Sequence, residues 1–196
     1  MDDGQRWQAI FRELLTAEEE SDPAHDLQHI ERVVANATAI GTAEYVDFDI
    51  LLPAAWLHDC VSVPKSSPDR ARASLLAADR AVEFLREHGY PARFLNGIHH
   101  AIEAHSYSAG VPPTTIEAKV LQDADRLDAL GAVGLSRMLM LGGFMQKRFV
   151  NLDDPFCHAR VPDDGKYVLD HLFAKLLKVP DLMNTGTARQ MAVERK

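Results

Sequence analysis

The sequence predicts an all-α fold, a single-domain helical bundle that occupies residues 1–196. Apolar residues recur at helical spacing along nearly the whole chain, and no segment alternates with the period of two that is typical of half-buried strands. A chain of 196 residues is long enough for one domain with a sizeable core. The two cysteines, Cys60 and Cys157, have neither CxxC nor dense spacing, so a disulfide framework is not expected.

The first three helices have recognisable start and stop signals. The stretch Ser21-Asp22-Pro23 is expected to cap and start the second helix, and Gly41 is expected to end it. The third carries ILLPAAWLHDC, whose nearly all-round apolar character predicts a buried central helix, with Pro53 tolerated only near its first turn. These helices are predicted over about 5–20, 23–40 and 49–60.

The rest of the chain continues the same pattern. Gly89 should stop the fourth helix, and Thr114 with Glu117 is spaced as a capping box that opens the sixth. The fourth to ninth helices are predicted over about 69–88, 91–105, 114–130, 131–149, 166–178 and 187–195.

The net charge and the lengths of the apolar stretches disfavour nucleic acid and membrane as partners. A formal net charge of −8 does not favour a nucleic-acid backbone as partner. No apolar stretch approaches the roughly 20 residues needed to span a bilayer, and the N-terminus lacks the apolar core of a signal peptide. We therefore expect a cytoplasmic protein with no membrane or nucleic-acid partner. A small anionic substrate stays possible if local cations or a metal ion outweigh the global charge.

Three predicted helices each deliver a histidine or an acid to a largely apolar face. The third helix ends in His58-Asp59, and the sixth places Asp125 and Asp128 beside apolar residues. Acidic side chains are rarely buried without a partner, although a helix-end cap or a solvated acidic face would explain each pair taken alone. Together with His29 they predict a divalent metal site inside a helical bundle.

The order of these motifs resembles the HD-domain superfamily of metal-dependent phosphohydrolases. The segments that carry the resemblance are HIERV around His29, AAWLHDC around His58-Asp59, and QDADRLDALGAVG around Asp125. The resemblance covers about residues 22–180, and it is closest to the small stand-alone bacterial branch. It implies a helical bundle of the HD-domain type.

The resemblance also implies a ligand set and an activity. His29, His58, Asp59 and Asp125 would hold the metal, and this donor set suits Mn²⁺, Ni²⁺, Co²⁺ or Fe²⁺ better than Mg²⁺. The implied reaction is hydrolysis, by metal-activated water, of a phosphate or pyrophosphate ester in a small molecule, with a nucleotide as the best candidate.

Other polar residues have candidate roles that the sequence leaves open. Asp59, His105, His25 and Asp26 are candidate catalytic residues, the last three against a surface or helix-end role. Candidate substrate contacts are Lys65, Arg70, Asp128 and Lys175.

Two other functions and the oligomeric state also stay open. A dinuclear-iron HD-domain oxygenase would need further ligands, such as His105 with His99 or His100. A non-catalytic metal- or nucleotide-sensing module would keep the same ligands without turnover. A homodimer is compatible with the sequence.

Overall fold

The computed structural model describes residues 3–17, 27–63, 67–106 and 109–195, and its secondary structure is helical. Within these ranges there is no strand, and the only β-type pairing is an isolated bridge between Arg148 and Tyr167. The prediction of an all-α fold is therefore confirmed. The α-helices are α1 (Asp3–Ala17), α2 (Leu27–Glu44), α3 (Phe48–Leu57), α4 (Ala73–Glu87), α5 (Ala92–His105), α6 (Ile116–Asp128), α7 (Gly131–Phe144), α8 (Asp170–Ala174) and α9 (Gly186–Glu194).

The chain divides into two compact units, Met1–Asp125 and Arg126–Lys196. The first contains α1 to α5 and most of α6, and its core is built around α3, where six of ten residues are buried. The second contains the last turn of α6 with α7 to α9. Within the described residues no single helix has the length and apolarity of a membrane span, and α6 with α7 meets that test only as a bent pair.

Helix α2 does not end at Gly41 as the sequence predicted, but continues to Glu44. The glycine instead allows the side chains of Leu51 and Val46 to pack directly against the α2 backbone. A Cβ atom there would lie 2.7 Å from Leu51 Cδ2 and 2.9 Å from Val46 Cγ2. The helix ends where Tyr45 adopts a left-handed backbone with φ of 56°. The Ser21-Asp22-Pro23 start signal lies outside the described residues.

Pro53 lies inside α3 and not in its first turn, contrary to expectation. A proline there has no N–H to donate to the carbonyl four residues earlier, which belongs to Asp49. The Tyr90 hydroxyl donates to that carbonyl at 2.7 Å and so replaces the missing hydrogen bond. Asp47 caps the start of the helix by accepting from Asp49 N at 2.9 Å.

The predicted Thr114–Glu117 capping box is absent from the start of α6. Thr115 takes the capping role, since its Oγ1 accepts from Ala118 N at 3.2 Å. Thr114 pairs with His100 instead, and Glu117 Oε1 accepts from Asp47 N at 3.1 Å. Glu117 thereby ties the start of α6 to the start of α3.

Several other helix bounds differ from the prediction by a few residues. The fourth helix starts at Ala73, after a 3₁₀ turn over Pro68–Arg72, and α7 ends at Phe144. The predicted helix over 166–178 is instead the short α8 followed by a 3₁₀ helix, Leu176–Leu182.

Two ion pairs organise the second unit. Arg160 pairs with the fully buried Asp170, which also accepts from Asp163 N at 2.7 Å. Arg137 donates to the buried Asp128 at 2.7 Å. Arg160 and Asp163, which lie between α7 and α8, are therefore fastened to the start of α8.

Candidate metal centre

Four helices bring histidine and aspartate side chains together in the first unit. His29 lies in the first turn of α2, His58 and Asp59 follow α3, and His105 is the last residue of α5. Asp125 lies in the last turn of α6. Two overlapping groups have ligand atoms that all lie within 4.8 Å of one another: His29, His58 and Asp125, and His58, Asp59 and His105.

The distances around Asp59 and Asp125 are those of a shared centre. His29 Nε2 lies 3.5 Å from Asp125 Oδ1 and 3.8 Å from Asp59 Oδ2. His58 Nε2 lies 3.7 Å from the same Asp59 oxygen. These separations exceed a hydrogen bond, yet they match the roughly 3–4 Å expected between two atoms that each lie about 2.1 Å from one ion.

His58 is oriented by its own helix. Its Nδ1 lies 2.8 Å from the Ala55 carbonyl oxygen, which can only accept, so Nδ1 carries the proton. Its Nε2 is buried and has no hydrogen-bond partner within the described part of the chain. A buried lone pair without a donor is costly in a folded protein, and a metal ion would remove that cost.

The electrostatics keep this imidazole neutral. Burial lowers the pKa of His58 to about 4, helped by the nearby His105 and His29 and opposed by the charge of Asp59. Burial alone would raise the pKa of Asp125, but the histidines around it lower it below its usual value. At neutral pH the site therefore offers a deprotonated imidazole and a carboxylate, the forms that bind a divalent cation.

His105 approaches the cluster from α5 on the other oxygen of Asp59. Its Nε2 lies 3.6 Å from Asp59 Oδ1, and its Nδ1 donates to the Ile102 carbonyl at 2.6 Å. Burial would lower the pKa of His105, but the neighbouring carboxylate of Asp59 and the charge of Asp125 raise it above its usual value. His105 thus borders the site without belonging to the four expected ligands.

The neighbouring histidines of α5 are engaged elsewhere. His99 Nε2 lies 3.0 Å from Asp79 Oδ1, and His100 Nε2 accepts from Thr114 N at 3.1 Å. Neither residue belongs to the metal-binding groups found among the described residues.

The other candidate residues divide into three sets. Asp128 is buried and pairs with Arg137, whose Nη1 lies 2.7 Å from its Oδ2. Lys175 is exposed at the end of α8 in the second unit. His25, Asp26 and Lys65, with the side chain of Arg70, lie outside the described residues.

Two buried amides beside the site were not singled out from the sequence. Asn36 Nδ2 donates to the Ala124 carbonyl at 3.2 Å, and Gln122 Nε2 donates to the Ala104 carbonyl at 2.8 Å. The signal that could have found them is an amide within an otherwise apolar helical stripe, which needs a buried partner.

A cavity of about 250 Å³ lies along one side of α3, from Phe48 to Trp56. The rest of its wall comes from α1 and the start of α5, and both tryptophans of the chain, Trp7 and Trp56, line it. It contains none of the candidate metal ligands.

Comparison with known proteins agrees with the motif order. Residues 26–130 match the HD domain family. The chain is 35% identical to the uncharacterized protein YpgQ of Bacillus subtilis over 176 residues, which is 87% of this chain and 77% of YpgQ.

Solved structures show the same similarity. The crystal structure of B. subtilis YpgQ in complex with ADP has a TM-score of 0.72 at 34% identity, over 96% of this chain and 88% of that one. An HD-superfamily hydrolase from Bacillus thuringiensis has a TM-score of 0.69 at 30% identity, over 96% and 89% of the two chains.

Proposed function

This chain belongs to the HD-domain superfamily of hydrolases, and we propose that it is a metal-dependent phosphohydrolase of a small phosphorylated molecule. The observation that carries the proposal is the convergence of His29, His58 and Asp125 around one point, with Asp59 beside them. A nucleotide is the proposed substrate class, because the similar YpgQ protein was crystallised with ADP.

The proposed ligands are His29, His58, Asp59 and Asp125, and the buried Nε2 of His58 supports this set. Two imidazoles and two carboxylates favour Mn²⁺, Ni²⁺, Co²⁺ or Fe²⁺ over Mg²⁺. When bound, such an ion lowers the pKa of a coordinated water molecule and neutralises charge on a phosphoryl group.

The protein's own groups would prepare the site for this reaction. Asp59 and Asp125 would offset the charge of a divalent cation, so an open coordination position of the ion, and not net positive charge, would hold a phosphate oxygen. His105 lies against Asp59 and is the proposed proton donor to the departing oxygen. Lys65 and Arg70 are proposed phosphate contacts. A cytoplasmic location belongs to the same hypothesis.

The test is a release assay for phosphate and pyrophosphate. Metal-free protein is supplied with Mn²⁺, Ni²⁺, Co²⁺ or Mg²⁺ and with nucleoside mono-, di- and triphosphates, sugar phosphates and simple phosphoesters. We expect metal-dependent release that Asp59→Ala reduces at least about 100-fold, since it removes a ligand. Asp79→Asn removes an exposed carboxylate that pairs with His99 and should retain activity.

A protein that releases neither product with any metal would refute the proposed activity. So would equal activity in the wild type and the Asp59→Ala variant, because hydrolysis would then not use this site.

The second group, His58, Asp59 and His105, favours one alternative, a dinuclear-iron HD-domain oxygenase. The engagement of His99 and His100 with Asp79 and Thr114 counts against it, since these residues would complete the second iron site. Metal analysis of the purified protein distinguishes the two: two irons per chain favour oxidation, and one divalent ion favours hydrolysis.

A further inference from the structure

Two buried amide side chains join the helices that carry the candidate metal ligands. Asn36 of α2 reaches the backbone of α6 at Ala124, and Gln122 of α6 reaches the backbone of α5 at Ala104. Asn36 is 8% exposed and Gln122 is 5% exposed. We propose that Asn36 and Gln122 are positioning residues that set the affinity of the metal centre by holding α2, α6 and α5 in register.

Asn36 connects the two helices that bring His29 and Asp125 together. It lies seven residues after His29, two turns along the same buried face of α2. Its acceptor, the Ala124 carbonyl, belongs to the residue that precedes Asp125. The bond therefore fixes the α6 backbone next to one ligand against the helix that carries another.

A metal site needs accurately placed ligand atoms, and this explains why a directional hydrogen bond matters here. A slip of α6 by one residue along α2 would move Asp125 by about 1.5 Å. Metal–ligand distances have to hold within about 0.2 Å. Apolar packing alone is non-directional and resists such a slip weakly, whereas a buried amide–carbonyl bond selects one register.

Gln122 performs the corresponding task for α5. The Ala104 carbonyl is among the last four of its helix, so no N–H of α5 can reach it. Gln122 satisfies it at 2.8 Å, one residue before His105, whose ring lies against Asp59. Gln122 also precedes Asp125 by three residues and shares its side of α6.

This inference rests on the metal site of the proposed function, and it does not require that the protein hydrolyse phosphate. It is tested with Mn²⁺ alone on the metal-free full chain. The variants are Asn36→Leu and Gln122→Met, which keep approximate side-chain volume and remove the amide. The matched control is Tyr90→Phe, which removes a hydrogen bond to the α3 backbone at Asp49, away from the ligands.

Two quantities are measured for each protein: the dissociation constant for Mn²⁺, from the electron paramagnetic resonance signal of free Mn²⁺, and the thermal midpoint of the metal-free form. We expect Asn36→Leu to weaken Mn²⁺ binding about tenfold. The loss should be smaller for Gln122→Met, because His105 is not among the four proposed ligands. Tyr90→Phe should lower the midpoint comparably while it keeps the wild-type affinity. The visible absorption of bound Co²⁺ should change in Asn36→Leu and not in Tyr90→Phe.

Wild-type affinity in both amide variants would overturn the proposal, since the two bonds would then only stabilise the fold. An equal loss of affinity in Tyr90→Phe would overturn it as well. If Asn36→Leu does not fold, Asn36→Ser is judged by the same criteria, because its shorter side chain cannot span to Ala124. Wild-type protein that binds Mn²⁺ without releasing phosphate from any substrate would refute the activity alone, and wild-type protein that binds none of Mn²⁺, Ni²⁺, Co²⁺, Fe²⁺ and Mg²⁺ would refute both.

Discussion

His58 and His105 use the same local arrangement to aim their rings at the metal centre. Each lies at the C-terminal end of a helix and donates from Nδ1 to the carbonyl three residues earlier, at Ala55 and Ile102. The last carbonyls of a helix have no intrahelical N–H partner, so each of these two can accept a hydrogen bond from the imidazole ring. The motif order predicts that both histidines belong near the site, but the tautomer of each follows only from these contacts.

The lowered pKa of His58 predicts a loss of stability in acid. Its folded pKa of about 4 lies below the ordinary value of 6.5, so the folded state binds fewer protons between these values. The stability that neutral His58 contributes is complete above pH 6.5 and is lost as the pH falls towards 4. The slope of the free energy of unfolding against pH that this one group produces cannot exceed about 1.4 kcal/mol per pH unit.

Urea denaturation of the metal-free protein between pH 7 and 4 measures this slope. His58→Gln has no group that titrates at this position, and its stability should vary less over the same interval. Identical pH profiles for the two proteins would contradict a buried neutral His58.

At the scale of the helices, the sequence predicts where elements exist better than where they end. Apolar periodicity locates α5 within one residue of its observed start, Ala92, and correctly at its end, His105. Gly41 and Pro53 mislead, because both residues usually interrupt helices. Here contacts from neighbouring elements allow both helices to continue. Leu51 packs into the space beside Gly41, and the Tyr90 hydroxyl replaces the hydrogen bond that Pro53 removes.

Gly41→Ala should therefore destabilise the protein although alanine is the better helix former. The new Cβ would lie 2.7 Å from Leu51 Cδ2 in a fully buried contact. Overpacking costs about 1–3 kcal/mol, and the gain in helix propensity returns at most about 1 kcal/mol.

Gly143→Ala in α7 is the matched control, because nothing lies within 4 Å of its Cβ position. It should be neutral or stabilising. Chemical denaturation gives both free energies of unfolding, and a stabilised Gly41→Ala would show that α2 and α3 do not pack this closely.

At the scale of the molecule, the candidate ligands all lie in the first unit, on segments from His29 to Asp125. A bound ion would connect α2, α3 and α6, which are distant in sequence, and would stabilise the folded state only. Both tryptophans of the chain, Trp7 and Trp56, also lie in this unit, so intrinsic fluorescence reports its unfolding.

Mn²⁺ should therefore raise the thermal midpoint seen by tryptophan fluorescence. A free concentration of 100 times the dissociation constant adds about 2.7 kcal/mol, which corresponds to roughly 5–10 °C for a protein of this size. A chelator should reverse the shift, and Asp125→Asn should abolish most of it. A shift of equal size in Asp125→Asn would place the bound ion elsewhere.

The sequence by itself determined the all-α class, the membership of the HD-domain superfamily and the short set of residues from which a metal site is built. Helical periodicity and motif order are local properties, so they can be found without coordinates. Only the tertiary structure decided that His29, His58 and Asp125 meet within 4.8 Å, that Asp128 pairs with Arg137, and that Asn36 and Gln122 join the ligand-bearing helices. The physical reason is that periodicity gives each helix its buried face, whereas the crossing of one helix over another depends on side-chain contacts between residues far apart in the chain.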